Sequence, residues 1–293
     1  MTFLPEVEYA LEMLVIPSAA LERFELVTRF NSPYVAHDRG RAVDLYPPTG
    51  QAPSPVAGTV LEHRTVETPS RPYAAPTDHL LLIRTEAPRY RLETDQQAIA
   101  RVMHVKPTVS VGEHVSVGDT LGQPIRSGFF APWVDNHLHV GFRRPDANLI
   151  RASGSLPLSL DIEVDPLRWD GTGVVREVGE TFVMLDAPTH PAPGDRFVGI
   201  GSANAGVVLD GGLPHFERGG TFGRSAPTVQ LLGATFERGD DGTFPWADRT
   251  IRVNGDPVLG LSLFAARTDR FGARIICPDR TFEVGEKLTV TVA

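Results

Sequence analysis

Two histidines stand two positions apart in Asp135-Asn136-His137-Leu138-His139-Val140-Gly141-Phe142. On a strand, side chains alternate with period 2, so both imidazoles face one side while Leu138 and Val140 face a core. Such a pair can hold one metal ion, or one ring can ligate while the other moves protons. Taken alone, the spacing is weak evidence and more often marks two surface histidines on a half-exposed strand. A third histidine, His104, sits in the apolar run Arg101-Val102-Met103-His104-Val105. His37 and Asp44 lie seven positions apart in His37-Asp38-Arg39-Gly40-Arg41-Ala42-Val43-Asp44. Fully extended, that separation is roughly 23 Å, so the chain must loop back if both residues are to reach one ion. Asp38-Arg39-Gly40 is suitable turn chemistry. His37, His63, His79, His104, His114, His137 and His139 precede residue 140, whereas only His190 and His215 follow it, which places any metal chemistry in the first half.

The elements that must carry these residues read as strands. The chain has 293 residues with 28 Gly and 25 Pro spread along it, separating short apolar runs such as 56–61, 80–83 and 174–178. This is the pattern of a mostly β protein with frequent turns. The best helix candidate is short, 94–100. The stretch 109–122 repeats Val-x-Val-Gly and reads as a compact β-hairpin pair, with glycines in the turns. Turn-rich sequence between Arg143 and Trp169 suggests a boundary between a first domain, 1–150, and a second β-rich domain, 160–293.

Bulk properties exclude several classes. A formal net charge of −8 with no Lys/Arg run gives no footprint for nucleic acid or an anionic membrane surface. A single cysteine, Cys277, rules out an internal disulfide and a four-cysteine zinc site, so any metal must rest on His and carboxylate. No apolar run reaches a membrane-spanning length. Residues 1–17 lack a basic n-region and do not read as a signal peptide, so a cytoplasmic location is the simplest expectation.

The order of the pieces resembles the M23 (LytM, lysostaphin-type) zinc metallopeptidases. It runs from Asp44 through Pro55-Val56-Ala57-Gly58-Thr59-Val60, then His104, then the hairpin from Val111 to Gly122, to His137-Leu138-His139. About 110 residues are covered. The resemblance implies an antiparallel β-sheet and β-hairpin domain, a zinc cofactor, Asp44 and His139 as ligands, and His104 and His137 as catalytic histidines. It departs at the first motif, where Gly40 occupies the position of the family's first ligand. His37 is the nearest substitute, with His63 or His79 as further candidates.

Bland readings stand beside these. His114, His63 and His79 read as surface residues, Asp119 as turn chemistry and Cys277 as a buried strand residue. His190 and His215 would reach the site only if the second domain folds over it. Two functions compete: a zinc-dependent peptidase or amidase acting on Gly- or D-amino-acid-containing peptides, and an inactive M23-like module that binds or regulates a protein partner. Cell-wall peptidoglycan, the usual substrate of the family, fits poorly with the missing signal peptide. A biotinyl- or lipoyl-type carrier needs a hairpin-tip lysine, and 109–122 has none.

Overall fold

Alternation of apolar side chains builds the sheet that carries the histidines. In the strand Leu138–Arg143, Leu138, Val140 and Phe142 enter the main core while His139, Gly141 and Arg143 take the other face. The same division holds in Ala42–Tyr46, where Val43 and Leu45 go to the core and Asp44 opposes them. It holds again in Ile99–Met103, with Ala100 and Val102 in the core and Arg101 and Met103 opposite. Each buried aliphatic side chain contributes about 1.5–3 kcal/mol, which pins the register, since a one-residue slip would exchange the faces.

The computed structural model describes residues 13–86, 90, 92, 96–224 and 226–293. Among these the protein is mostly β, with two ten-stranded sheets. The first runs in the order Val164–Leu167, Phe197–Ile200, Ala265–Ala266, Leu26–Thr28, Ala42–Tyr46, Leu138–Arg143, Ile99–Met103, Thr77–Thr85, Gly58–Glu67, His114–Val115. It is antiparallel except where Val164–Leu167 meets Phe197–Ile200. Three of its strands thus come from the C-terminal half, joined through Leu26 opposite Ala266 and Val27 opposite Ala265. The second sheet lies wholly in the C-terminal half and packs a separate core around Trp246, Phe236 and Ile275. On the histidine face of the first sheet, Leu80, Leu82 and Ile99 form a small third apolar cluster beside Met103.

The apolar runs 80–83 and 174–178 lie within the longer strands Thr77–Thr85 and Thr172–Val178, and the run 56–61 enters the strand Gly58–Glu67 from residue 58 on. The segment 109–122, expected as a compact hairpin pair, is a correction: His114–Val115 pairs with Gly58–Glu67, whereas Thr120–Pro124 pairs with Ala52–Pro53 and Val105–Pro107 in a separate three-stranded sheet. The helix expected over 94–100 is a correction. Residues 94 and 95 lie outside the described residues, and Ile99 and Ala100 begin the strand Ile99–Met103. Pairing on both edges, with Leu138–Arg143 and Thr77–Thr85, outweighs the weak helical propensity of so short a run. No helix among the described residues is long and apolar enough to cross a membrane.

Candidate metal centre

Cross-strand register makes the first half of the cluster. Asp44 stands directly opposite His139, and Thr28 opposite Asp44. Directly opposed side chains start about 4.5–5.5 Å apart at Cβ. His139 Nδ1 therefore comes to 3.1 Å from Asp44 Oδ1.

His37 arrives by a different route. It sits on a single helical turn, Val35–Asp38, closed by Gly40 at φ +58°. That left-handed residue turns the chain back into Ala42–Tyr46, so the seven-position separation from Asp44 is folded rather than extended. A Cβ at Gly40 would stand 2.7 Å from both Arg29 Nη2 and Phe30 Cζ. His37 Nδ1–H donates to the Arg29 carbonyl at 2.6 Å, which leaves Nε2 with its lone pair facing the cluster. Nε2 lies 3.2 Å from Asp44 Oδ1 and 2.9 Å from His139 Nδ1. Three donor atoms from three segments thus form a nearly equilateral triangle. Two ligands about 2.0–2.1 Å from a tetrahedral zinc are about 3.3 Å apart, so the triangle is of the size that one small cation occupies.

His137 and His104 flank it. His137 Nδ1–H donates to the Asp135 carbonyl at 2.9 Å, and its Nε2 lies 3.4 Å from Asp44 Oδ1. His104 follows Met103, so strict alternation would send it to the opposite face. A φ of +70° at His104 redirects it, a conformation that histidine tolerates better than most residues. Asp78 holds it there: Oδ2 accepts from His104 Nδ1 at 2.5 Å and Oδ1 from the His104 backbone N–H at 3.1 Å. Ser127 Oγ donates to the same Asp78 Oδ2 at 2.7 Å. The His104 ring lies 5.1 Å from that of His137 and 5.8 Å from that of His139.

Burial sets the charge states. It pushes His139 down to about 3 against the pull of Asp44, and His137 down to about 4, so both rings are neutral lone-pair donors at neutral pH. Burial also pushes His37 down, but the charge and hydrogen bond of Asp44 outweigh it and raise His37 overall. Burial opposes ionisation of Asp44, yet His137 and His37 hold its carboxyl well below the usual range. The cluster is thus a buried carboxylate among imidazoles, and it attracts one positive charge, a proton on His37 or a cation among the three donors.

The structure therefore brings His37, Asp44, His139, His104 and His137 together. It leaves the others apart. His114 is exposed and pairs with Glu86, His63 is exposed, and His79 contacts Thr65. Asp119 accepts from the Ser116 N–H in a turn. Cys277 is buried, immediately after the strand Arg274–Ile276. His190 is bonded to Ala192 and Arg196. The second domain does reach the centre: Phe216 lines a cavity of about 20 Å³ with Asp44, His104, Phe130, His137 and His139. His215 lines a neighbouring cavity together with His37. Asp78, Ser127 and Phe216 escaped the sequence reading. Asp78 had one visible signal, a carboxylate beside a histidine in an otherwise apolar strand.

The fold and centre define a class: a mostly β, two-domain protein with a buried histidine and aspartate cluster. Residues 15–160 match the N-terminal domain, and residues 165–293 the C-terminal domain, of a family described as a domain of unknown function, DUF8155. Between them the two matches span nearly the whole chain, which belongs to this family. No curated protein and no solved structure matches it.

Proposed function

We propose that this protein is a zinc-dependent peptidase or amidase of the M23 kind, with His37, Asp44 and His139 as ligands and His104 and His137 as catalytic histidines. The observation that carries the reading is the meeting of His37 Nε2, Asp44 Oδ1 and His139 Nδ1 at 2.9–3.2 Å. Once the proton on His37 gives way to the ion, the donor set is two neutral nitrogens and one carboxylate, which suits zinc and leaves a fourth position open. When bound, the ion would supply Lewis acidity, making a water acidic and polarising an amide carbonyl. The remaining work falls to the chain. The bond from Nδ1 to Asp78 leaves His104 Nε2 as its proton-handling atom, and the bond from His137 Nδ1 to Asp135 does the same for that ring. As the C–N bond of the amide breaks, the leaving nitrogen needs a proton, and the attacking water must lose one. Two histidines with Nε2 as the proton-handling atom can hold both protons. Phe129 and Phe130 line the cavity over the cluster, and such apolar walls strengthen each of these interactions.

Metal analysis of the purified protein tests this. Near-stoichiometric zinc is expected, lost in His139→Ala and Asp44→Ala and kept in His104→Ala, which should lose turnover of short Gly- or D-Ala-containing peptides. Absence of zinc even after reconstitution would remove the peptidase reading. A second reading, a module that binds a peptide or protein partner without cleaving it, draws support from Phe216, whose packing leaves only about 20 Å³ over the cluster. Zinc without turnover on a peptide library would favour it.

A further inference from the structure

Beside the cluster opens a second, larger cavity of about 240 Å³. His104 and His139 stand at one end, and Tyr34, Met103 and Phe129 contribute apolar walls. One charged group lines it, Arg101. The register explains its place. His139 pairs with Met103 and Gly141 with Arg101, so the guanidinium arises on the same face, one residue pair or about 6.8 Å along the strand from His139. Its cross-strand neighbour Gly141 has no side chain, and Ser155 packs close over that glycine.

Arg101 is 3% exposed, yet no carboxylate among the described residues pairs with it. Its Nη2 makes one hydrogen bond of 3.3 Å to the Ile150 carbonyl and a 3.9 Å contact with Met103 Sδ, and its buried Nε has no partner. Nearby Arg143 is likewise buried, with an unpartnered Nε and no paired carboxylate among the described residues, but its fork is filled. Its terminal nitrogens are taken up by Ser155 Oγ and the carbonyls of Arg151 and Ala152, so it braces the loop over the sheet. Burial, with the like charge of Arg143, pushes Arg101 down to about 10, still charged at neutral pH. A buried charge without a counter-charge is costly, and a guanidinium fork is the side chain best matched to a planar two-oxygen anion. A cavity of this size, below the roughly 300–1,000 Å³ of typical ligand pockets, suits a short chain end rather than a long polymer.

We propose that Arg101 is the anion-binding subsite of this centre and takes a carboxylate of the peptide, first of all its free C-terminal carboxylate. This rests on the peptidase reading for the identity of the ligand but not for the existence of the site. The reaction would then release a short C-terminal fragment.

The test is calorimetric binding of N-acetyl-trialanine, its C-terminal amide, and N-acetyl-Ala-Glu-Ala amide. Each is measured on zinc-loaded protein and on chelator-treated protein, the latter to remove the metal as a carboxylate binder. The acid should bind about tenfold or more tighter than the amide in both forms. Arg101→Gln should abolish that preference without changing zinc content, and Arg101→Lys should restore part of it. Recovery of tight binding by the glutamate peptide would assign the subsite to an acidic side chain instead of the chain end. Equal binding of all three peptides to the wild type, which needs no variant to fold, would overturn the proposal, as would a preference that survives in Arg101→Gln. Preference in the chelated protein stands even where the zinc test fails, so the two failures are distinguishable.

Discussion

Replacing Asp78 by asparagine keeps the shape of a fully buried side chain and removes its charge. The carboxylate accepts four hydrogen bonds: His104 Nδ1 and Ser127 Oγ at Oδ2, and the N–H groups of His79 and His104 at Oδ1. In Asp78→Asn the amide oxygen must stay at the Oδ1 position, because two backbone N–H groups point there. The amide NH2 then faces His104 and Ser127. Ser127 can turn its hydroxyl to accept. His104 can accept only by moving its proton from Nδ1 to Nε2, which spoils the atom assigned to proton handling. Hydrogen bonds to a charged group contribute about 1.5–3 kcal/mol and neutral ones about 0.5–1.5, so four bonds each weakened by about 1–1.5 kcal/mol predict a loss of about 4–6 kcal/mol. Urea unfolding reads the loss, and the nitrogen chemical shifts of His104 read the tautomer. Burial opposes ionisation of Asp78, but the charge of His104 and the bonds from His104, Ser127 and His79 lower its pKa overall. A lowered folded pKa gives stability that is present above the unfolded value, about 3.9, and is lost as pH falls through the folded one. The gap between wild type and variant should therefore persist at neutral pH and close in acid. An unchanged His104 tautomer, or a variant as stable as wild type at neutral pH, would refute the role given to Asp78.

Gly40→Ala should cost about 1–2 kcal/mol from the left-handed backbone alone. The added methyl would also push on Arg29, whose guanidinium donates to the Gly40 carbonyl and whose own carbonyl holds His37. Zinc affinity should fall about tenfold or more, as for loss of an outer partner, and unchanged affinity by competition with a chelating dye would contradict this. Asp210, on the C-terminal strand Val208–Leu213, accepts from Thr28 Oγ1 and the Arg29 N–H, and burial raises its pKa to about 7. A raised folded pKa adds stability that is complete below the unfolded value, about 3.9, and is lost as pH rises through the folded value. Asp210→Asn can still accept from Arg29 and donate to Thr28, so its melting temperature should vary less between about pH 5 and about pH 8 than that of wild type. A melting profile parallel to wild type would count against a protonated Asp210.

Local pattern alone determined a good deal. The alternation of His137 and His139 with Leu138 and Val140 places both imidazoles on one face, because period 2 is a property of any strand. Frequent Gly and Pro between β-branched runs required many short strands. The restriction to His and carboxylate ligands followed from the single cysteine. The short helix over 94–100 was misread because periodicity in seven residues is weak beside two flanking strands that supply hydrogen bonds on both edges. Tertiary structure alone decided that a turn ending at Gly40 swings His37 back to within 3.2 Å of Asp44, and that register sets Asp44 against His139. It alone brought Asp78 to His104, Phe216 over the cluster from the other domain, and a guanidinium without a counter-charge to the neighbouring cavity. The physical reason is range. Propensity and periodicity act over a few residues, whereas these approaches depend on strand order and on which distant side chains share a face.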